Sequence, residues 1–123
     1  MLDHVILNVG DYERSRAFYE RALEPLGLSV VMAVDEWRMA GFGSAGKPVF
    51  WIAQREPHGS GTHVAFHATD RATVDAFHAA ALAAGGADNG PPGLREHYHP
   101  SYYAAFALDP DANNIEAVCH TPA

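Results

Sequence analysis

Basic residues are scarce in this chain, cysteine is almost absent, and apolar runs are short. Eight Lys and Arg stand against 15 Asp and Glu, a formal charge of −7. With no basic patch to displace counterions from phosphate, nucleic acid and anionic membrane are excluded as expected partners. The single cysteine, Cys119, rules out an internal disulfide and fits a reducing compartment. No apolar stretch approaches the roughly 20 residues that span a bilayer. Met1-Leu2-Asp3-His4 lacks the basic and apolar regions of a secretory signal. A cytoplasmic protein is expected. What the chain does have is apolar bulk: 48% of its 123 residues, against 19% charged, enough for a globular domain with a core of its own.

It also repeats itself. Shifting Leu2–Gly27 by 59 positions lays His4 on His63, Val5 on Val64, Asp11 on Asp70, Phe18 on Phe77 and Gly27 on Gly86. Leu and Ala matches are cheap here, but a shared His-Val, Asp and Phe at one shift are not. The shift is close to half the chain, so two copies of one small unit are expected to build a pseudo-symmetric body.

Each copy reads the same way. Leu2–Val9 has the apolar, β-branched character of a strand, and Asp11 caps a helix carrying Phe18, Ala22 and Leu26 until Pro25 and Gly27 end it. Strand-like runs follow at Leu28–Val34, Glu36–Phe42 and Lys47–Gln54. In the second copy Thr62–Ala68 is a strand, and Asp70 caps a helix with Val74, Phe77, Ala81 and Ala84 on one face. A weak strand near Ala87, a Pro/Gly-rich excursion, then Tyr102–Leu108 and Asn114–His120 complete it. The expectation is an α+β fold of two tandem βαβββ modules forming an open, barrel-like mixed sheet. Residues 1–121 make one domain: module 1 over 1–56, a linker over 57–61 and module 2 over 62–121.

Side chains alternate across a strand, so His4, Ile6 and Asn8 share a face, as do His63, Ala65 and His67. A pseudo-twofold axis would bring His4 and His63 toward each other on a concave surface. The last strand adds Glu116 between Ile115 and Ala117, company in which a glutamate is seldom buried unless it is paired or holds a metal. Two imidazoles and a carboxylate make a facial triad with open coordination positions, and also suit a catalytic zinc. A lone strand histidine is more often structural; the repeated pair and the glutamate set the metal reading beside that one.

These residues carry a resemblance. Asp3-His4-Val5 with Gly10-Asp11 and Phe18-Tyr19, Thr62-His63-Val64-Ala65-Phe66, and Phe106-Ala107-Leu108-Asp109-Pro110-Asp111 with Asn114-Ile115-Glu116 are similar to the vicinal oxygen chelate superfamily. That group includes glyoxalase I, extradiol dioxygenases, fosfomycin-resistance thiol transferases and bleomycin-resistance proteins. The resemblance spans essentially the entire chain and is specific to the fold more than to the reaction. It implies one divalent metal (Fe, Mn, Zn or Ni) on His4, His63 and Glu116, a small oxygen-bearing substrate chelated through two oxygens, and a homodimer. Glyoxalase I has a fourth ligand, a glutamate; the matching position here is Trp51, which cannot ligate, so classical glyoxalase I activity is disfavoured. A metal-dependent lyase or isomerase, or an extradiol-type dioxygenase, stays open. The family's Asp-Pro-Asp-Gly turn has Ala112 in place of glycine, with Asn113 beside it to take left-handed geometry.

Matching Trp51 to Glu116 needs a shift of 65, so module 2 carries about six extra residues, most naturally within Pro91–Pro100. There Arg95, His97, Tyr98 and His99 cluster, with Tyr103 beyond. His97 and Tyr103 are candidate acid–base groups beside Glu116. Trp51, His67, Tyr98, His99 and Arg95 are candidate pocket residues, against the plainer readings of an exposed loop or dimer contacts. Arg95 suits a substrate carboxylate or phosphate, although an ion pair with Glu96 is the simpler expectation. Gly41-Phe42-Gly43-Ser44-Ala45-Gly46 precedes a strand, not a helix, and reads as a hairpin turn, not a dinucleotide loop. Cys119 and His120 point to opposite faces, and His58 and His78 read as solvated. The competing function is a metal-free binding protein of the bleomycin-resistance type, stacking a ligand on Trp37, Trp51 and Tyr102.

Overall fold

The repeat becomes two matching sheets. The computed structural model describes all 123 residues, in the order β1 (Val5–Val9), α1 (Tyr12–Ala22), β2 (Ser29–Val34), β3 (Met39–Ser44), β4 (Lys47–Gln54), β5 (His63–His67), α2 (Arg71–Ala83), β6 (Ala87–Leu94), β7 (Tyr103–Leu108) and β8 (Asn114–Cys119). The strands form two sheets, β1-β4-β3-β2 and β5-β8-β7-β6. Within each, the first and last strands run parallel and the others antiparallel. This is the expected pair of βαβββ modules.

The equivalence extends to register. Trp51 lies opposite Ile6 and Gly41. Glu116 lies opposite Ala65 and Phe106, the positions related to those by the repeat. Both helices start where the two related aspartates put them. Asp11 accepts from the Arg14 amide at 3.1 Å and Asp70 from the Thr73 amide at 2.7 Å, caps that each contribute about 1 kcal/mol. Pro25 and Gly27 close α1 through one 3-10 turn (Glu24–Leu26), with Gly27 left-handed at φ 78°.

One apolar cluster joins the modules: Phe18, Tyr19, Phe42, Phe50 and Ile52 from the first meet Val74, Phe77, Ala81, Ala107 and Ile115 from the second. Phe50 and Phe66 meet edge to face at 5.2 Å. A buried polar tie runs alongside. The Tyr19 hydroxyl donates to Asp109 Oδ2, and burial first, the Asp109 charge second, push its pKa well above the phenol range. Asp109 Oδ1 accepts from the amides of Asp111 and Asn113 at 2.9 and 2.8 Å. So α1 braces the turn that launches β8, the strand that carries Glu116.

Several local expectations are corrected. The strand expected from Glu36 begins at Met39, because Asp35–Trp37 form a 3-10 turn that ends on left-handed Arg38. The Pro/Gly-rich stretch is partly a strand: β6 runs through Pro91 and Pro92. Its register slips between Asp88 and Gly90 and again between Gly90 and Gly93, so both prolines sit at unpaired positions of an edge strand, where a missing N–H costs no ladder bond. The extra residues divide between β6, eight long against six for β2, and the following loop, 95–102 against 35–38. In the β7–β8 turn it is Ala112 itself, not Asn113, that is left-handed (φ 65°). His78 is not solvated: it is mostly buried and bonded to Asp88 at 2.8 Å.

Candidate functional site

Alternation along β5, β7 and β8 sets one face of the second sheet apart from the core. His63, Ala65 and His67 are exposed there beside Phe106 and Glu116. Glu116 is the one charged side chain buried on this face, 1% accessible, next to buried Ala104 and Val118 and the exposed His63, Ala65 and His67. Both its oxygens are engaged. Oε1 lies 2.8 Å from His63 Nε2 and Oε2 accepts from the Tyr102 hydroxyl. Burial first, then the bond to Glu116, push the Tyr102 phenol up to about 12, so it remains a donor across the physiological range. A buried carboxylate thus holds an imidazole that is half exposed.

Around this trio stands an aromatic array. Tyr98 meets Tyr102 edge-on at 5.0 Å, Tyr102 meets His120 at 5.2 Å, and His97 packs against Tyr98 at 4.1 Å with the rings tilted by 46°. His99 touches His120 at 5.9 Å and accepts from the Ser101 amide at 3.0 Å. Next to this array a cavity of about 310 Å³ is lined by Asn89, Gly90, Arg95, His97, Tyr98, Phe106 and Asn114.

Of the residues singled out from sequence, His63, Glu116, His67, His97, Tyr98, His99 and Arg95 therefore fall on or beside this face. Tyr103 does not. Its hydroxyl donates to Asp75 of α2 at 2.6 Å, a bond that raises its pKa, and Arg71 covers its ring. Its neighbour Tyr102 takes the place beside Glu116. The parity of β7 carried that signal: Phe106 faces with Glu116, so Ala104 and Tyr102 do too, and Tyr103 points the other way. Nor does Arg95 pair with Glu96; no acidic side chain lies within ion-pair range of it.

His4 lies apart, just ahead of β1. Its Nδ1 is bonded to Asp3 at 2.8 Å, and Asp3 in turn takes Lys47 Nζ at 2.8 Å. Lys47 first and His4 second hold the Asp3 carboxyl below its ordinary range. Trp51, at the position related to Glu116, is half-buried and packed over Gly41. No three His, Cys, Asp or Glu side chains of one chain are grouped to hold a metal ion.

Two tandem βαβββ modules, each with a parallel first and last strand, define the class of protein. The chain belongs to the Glyoxalase/Bleomycin resistance protein/Dioxygenase superfamily, whose family model matches residues 1–117. Among solved structures it is similar to a glyoxalase/bleomycin resistance protein from Albidiferax ferrireducens, at 32% identity and TM-score 0.82, over 97% of this chain and 98% of that one. It is also similar to a glyoxalase I mutant from Zea mays, at 26% identity and TM-score 0.67, over 95% of this chain but 45% of the maize chain. A glyoxalase/bleomycin resistance protein/dioxygenase family enzyme from Burkholderia phytofirmans shares the fold, at 21% identity and TM-score 0.71, over 97% and 98% of the two chains. No curated protein matches the chain. No helix is long and apolar enough to cross a membrane.

Proposed function

We propose that this chain is a metal-dependent enzyme that acts on a small oxygen-bearing organic molecule on the exposed face of module 2. The observation that carries the reading is the buried Glu116 carboxylate, fixed by Tyr102 and paired with the half-exposed His63 imidazole. Burying a carboxylate there is costly and has no packing purpose. One imidazole nitrogen and one carboxylate oxygen are two members of a donor set suited to Fe, Mn, Zn or Ni.

The fit to a metal within one chain is partial, because His4 does not join the pair. His4 is nevertheless dressed as a ligand: Asp3 engages Nδ1 and leaves Nε2 free, the usual support for a metal-bound imidazole. We therefore place the third ligand, His4, in trans, from a second copy in a homodimer. Trp51 fills the fourth position with an indole, so the set stops at three. A bound metal would act as a Lewis acid toward two neighbouring substrate oxygens. The chain's own residues do the rest: Tyr102 keeps Glu116 oriented and His67 and Tyr98 flank the ligand. His97 stands where a proton can be passed to or from solvent. Residues 1–121 act as one domain, and the lone, buried Cys119 supports a cytoplasmic location.

The aromatic array of Tyr98, Tyr102 and His120 favours a second reading, a metal-free protein that stacks and sequesters a planar ligand. Elemental analysis of chelator-free protein separates the two. The enzyme reading expects near-stoichiometric transition metal in the wild type and none in Glu116→Ala or His63→Ala. Failure to hold added Fe, Mn, Ni or Zn leaves the binding protein.

A further inference from the structure

We propose that Arg95 is an anion anchor, which makes the face of module 2 selective for small molecules bearing a carboxylate or phosphate group. The proposal rests on that face being the ligand site but not on the metal. The Arg95 guanidinium carbon lies 5.4 Å from the centroid of the Phe106 ring, and the His63 ring lies 6.2 Å from the same centroid. One aromatic ring thus links the cation to the His63–Glu116 pair, within the length of a small metabolite.

The guanidinium is built in. Its Nη2 donates to the Pro91 carbonyl at 2.7 Å, and the Arg95 amide donates to the Tyr102 carbonyl at 2.7 Å. A Cβ at Gly90 would come within 3.2 Å of Nη2, and one at Gly93 within 3.1 Å of Nη1, so these two glycines make the bed in which it lies. The bulged register of β6 serves this bed. With Nη2 alone spent on a backbone carbonyl, the other donors have no protein acceptor, and Arg95 lines the 310 Å³ cavity. Asp88, the nearest acid on β6, is occupied by the Gly90 amide and His78. A planar fork of free donors over a ring, beside a cavity, is the chemistry that binds carboxylate or phosphate in two-pronged fashion. In a chain of net charge −7 such a cation is not needed for solubility.

Binding of 3-phenylpropanoate, phenyl phosphate and neutral 3-phenylpropanamide, followed through the amide resonances of Gly90 and Gly93, tests this. At least one anion is expected to shift both amides saturably while the neutral amide does not; the tighter anion identifies carboxylate or phosphate as the natural group. Arg95→Gln should weaken anion binding by about tenfold or more, Arg95→Lys by less, and Gly93→Ala should weaken it while leaving the charge in place. Chelator-treated wild-type protein should bind the anion as metal-supplemented protein does, so the two readings fail separately. Neither anion binding, equal binding of the neutral amide, or an Arg95→Gln variant that binds like wild type would overturn the proposal.

Discussion

The two modules share a backbone plan but have exchanged bulk and chemistry between matching positions. In module 1 an indole on β4, Trp51, lies over Gly41 on β3; in module 2 the ring has moved to β7 as Phe106, and β8 carries the carboxylate of Glu116. Each face keeps one large aromatic side chain per strand pair, so the sheet surface stays filled. Only module 2 spends the remaining position on a charge, and only module 2 engages it with a hydroxyl and an imidazole. Pseudo-symmetry supplies two equivalent scaffolds, and divergence at a few facing positions gives one of them the buried carboxylate on which the proposed site rests.

The largest expected effect of breaking this comparison is at Gly41. An added Cβ would sit 2.8 Å from both Pro48 Cβ and Trp51 Cε2. Gly41→Ala should therefore cost about 1–3 kcal/mol, read as a lowered urea midpoint at unchanged slope. Combining it with Trp51→Ala should recover part of the loss, since the space was made for the indole. A double variant no better than additive would show that Gly41 serves the backbone and not the ring.

A smaller effect sharpens the module 2 side. The Tyr102 phenol is raised from 10 to about 12 in the folded chain, so the stability it contributes is complete below pH 10. That contribution is lost as pH climbs through the folded value near 12. Tyr102→Phe should flatten this limb relative to wild type, while Tyr103→Phe, which removes a different phenol bonded to Asp75, should leave the part due to the Tyr102–Glu116 bond in place. Unfolding midpoints of the three proteins across the alkaline range are the measurement.

The fold was legible because its signals are redundant. His-Val, the capping aspartates Asp11 and Asp70, and the paired Phe18 and Phe77 all repeat at one shift, and each marks the same element twice. What stayed hidden turned on single residues. Tyr102 and Tyr103 are adjacent, and only the register of β7 against β8 decides which one faces Glu116. Two prolines argue against a strand by their missing N–H groups, yet β6 accommodates both at bulges on a sheet edge. His78 reads as a solvated helix residue until β6 brings Asp88 to it. The pairing of His63 with Glu116 follows from neighbouring strands of one module, whereas the distance of His4 from both is a property of how the modules pack, which periodicity does not encode.

The central claim is a site shared between two copies of the chain, His63 and Glu116 from one and His4 from the other. Mixing His4→Ala with Glu116→Ala protein, each unable to hold metal alone, tests it most directly. After denaturation and joint refolding, half of the dimers should be mixed, and each mixed dimer should regain one intact site and one metal ion. Recovery of metal only in the mixture is the predicted result. A mixture as empty as its two parents, beside a wild type that binds metal, would contradict the shared site.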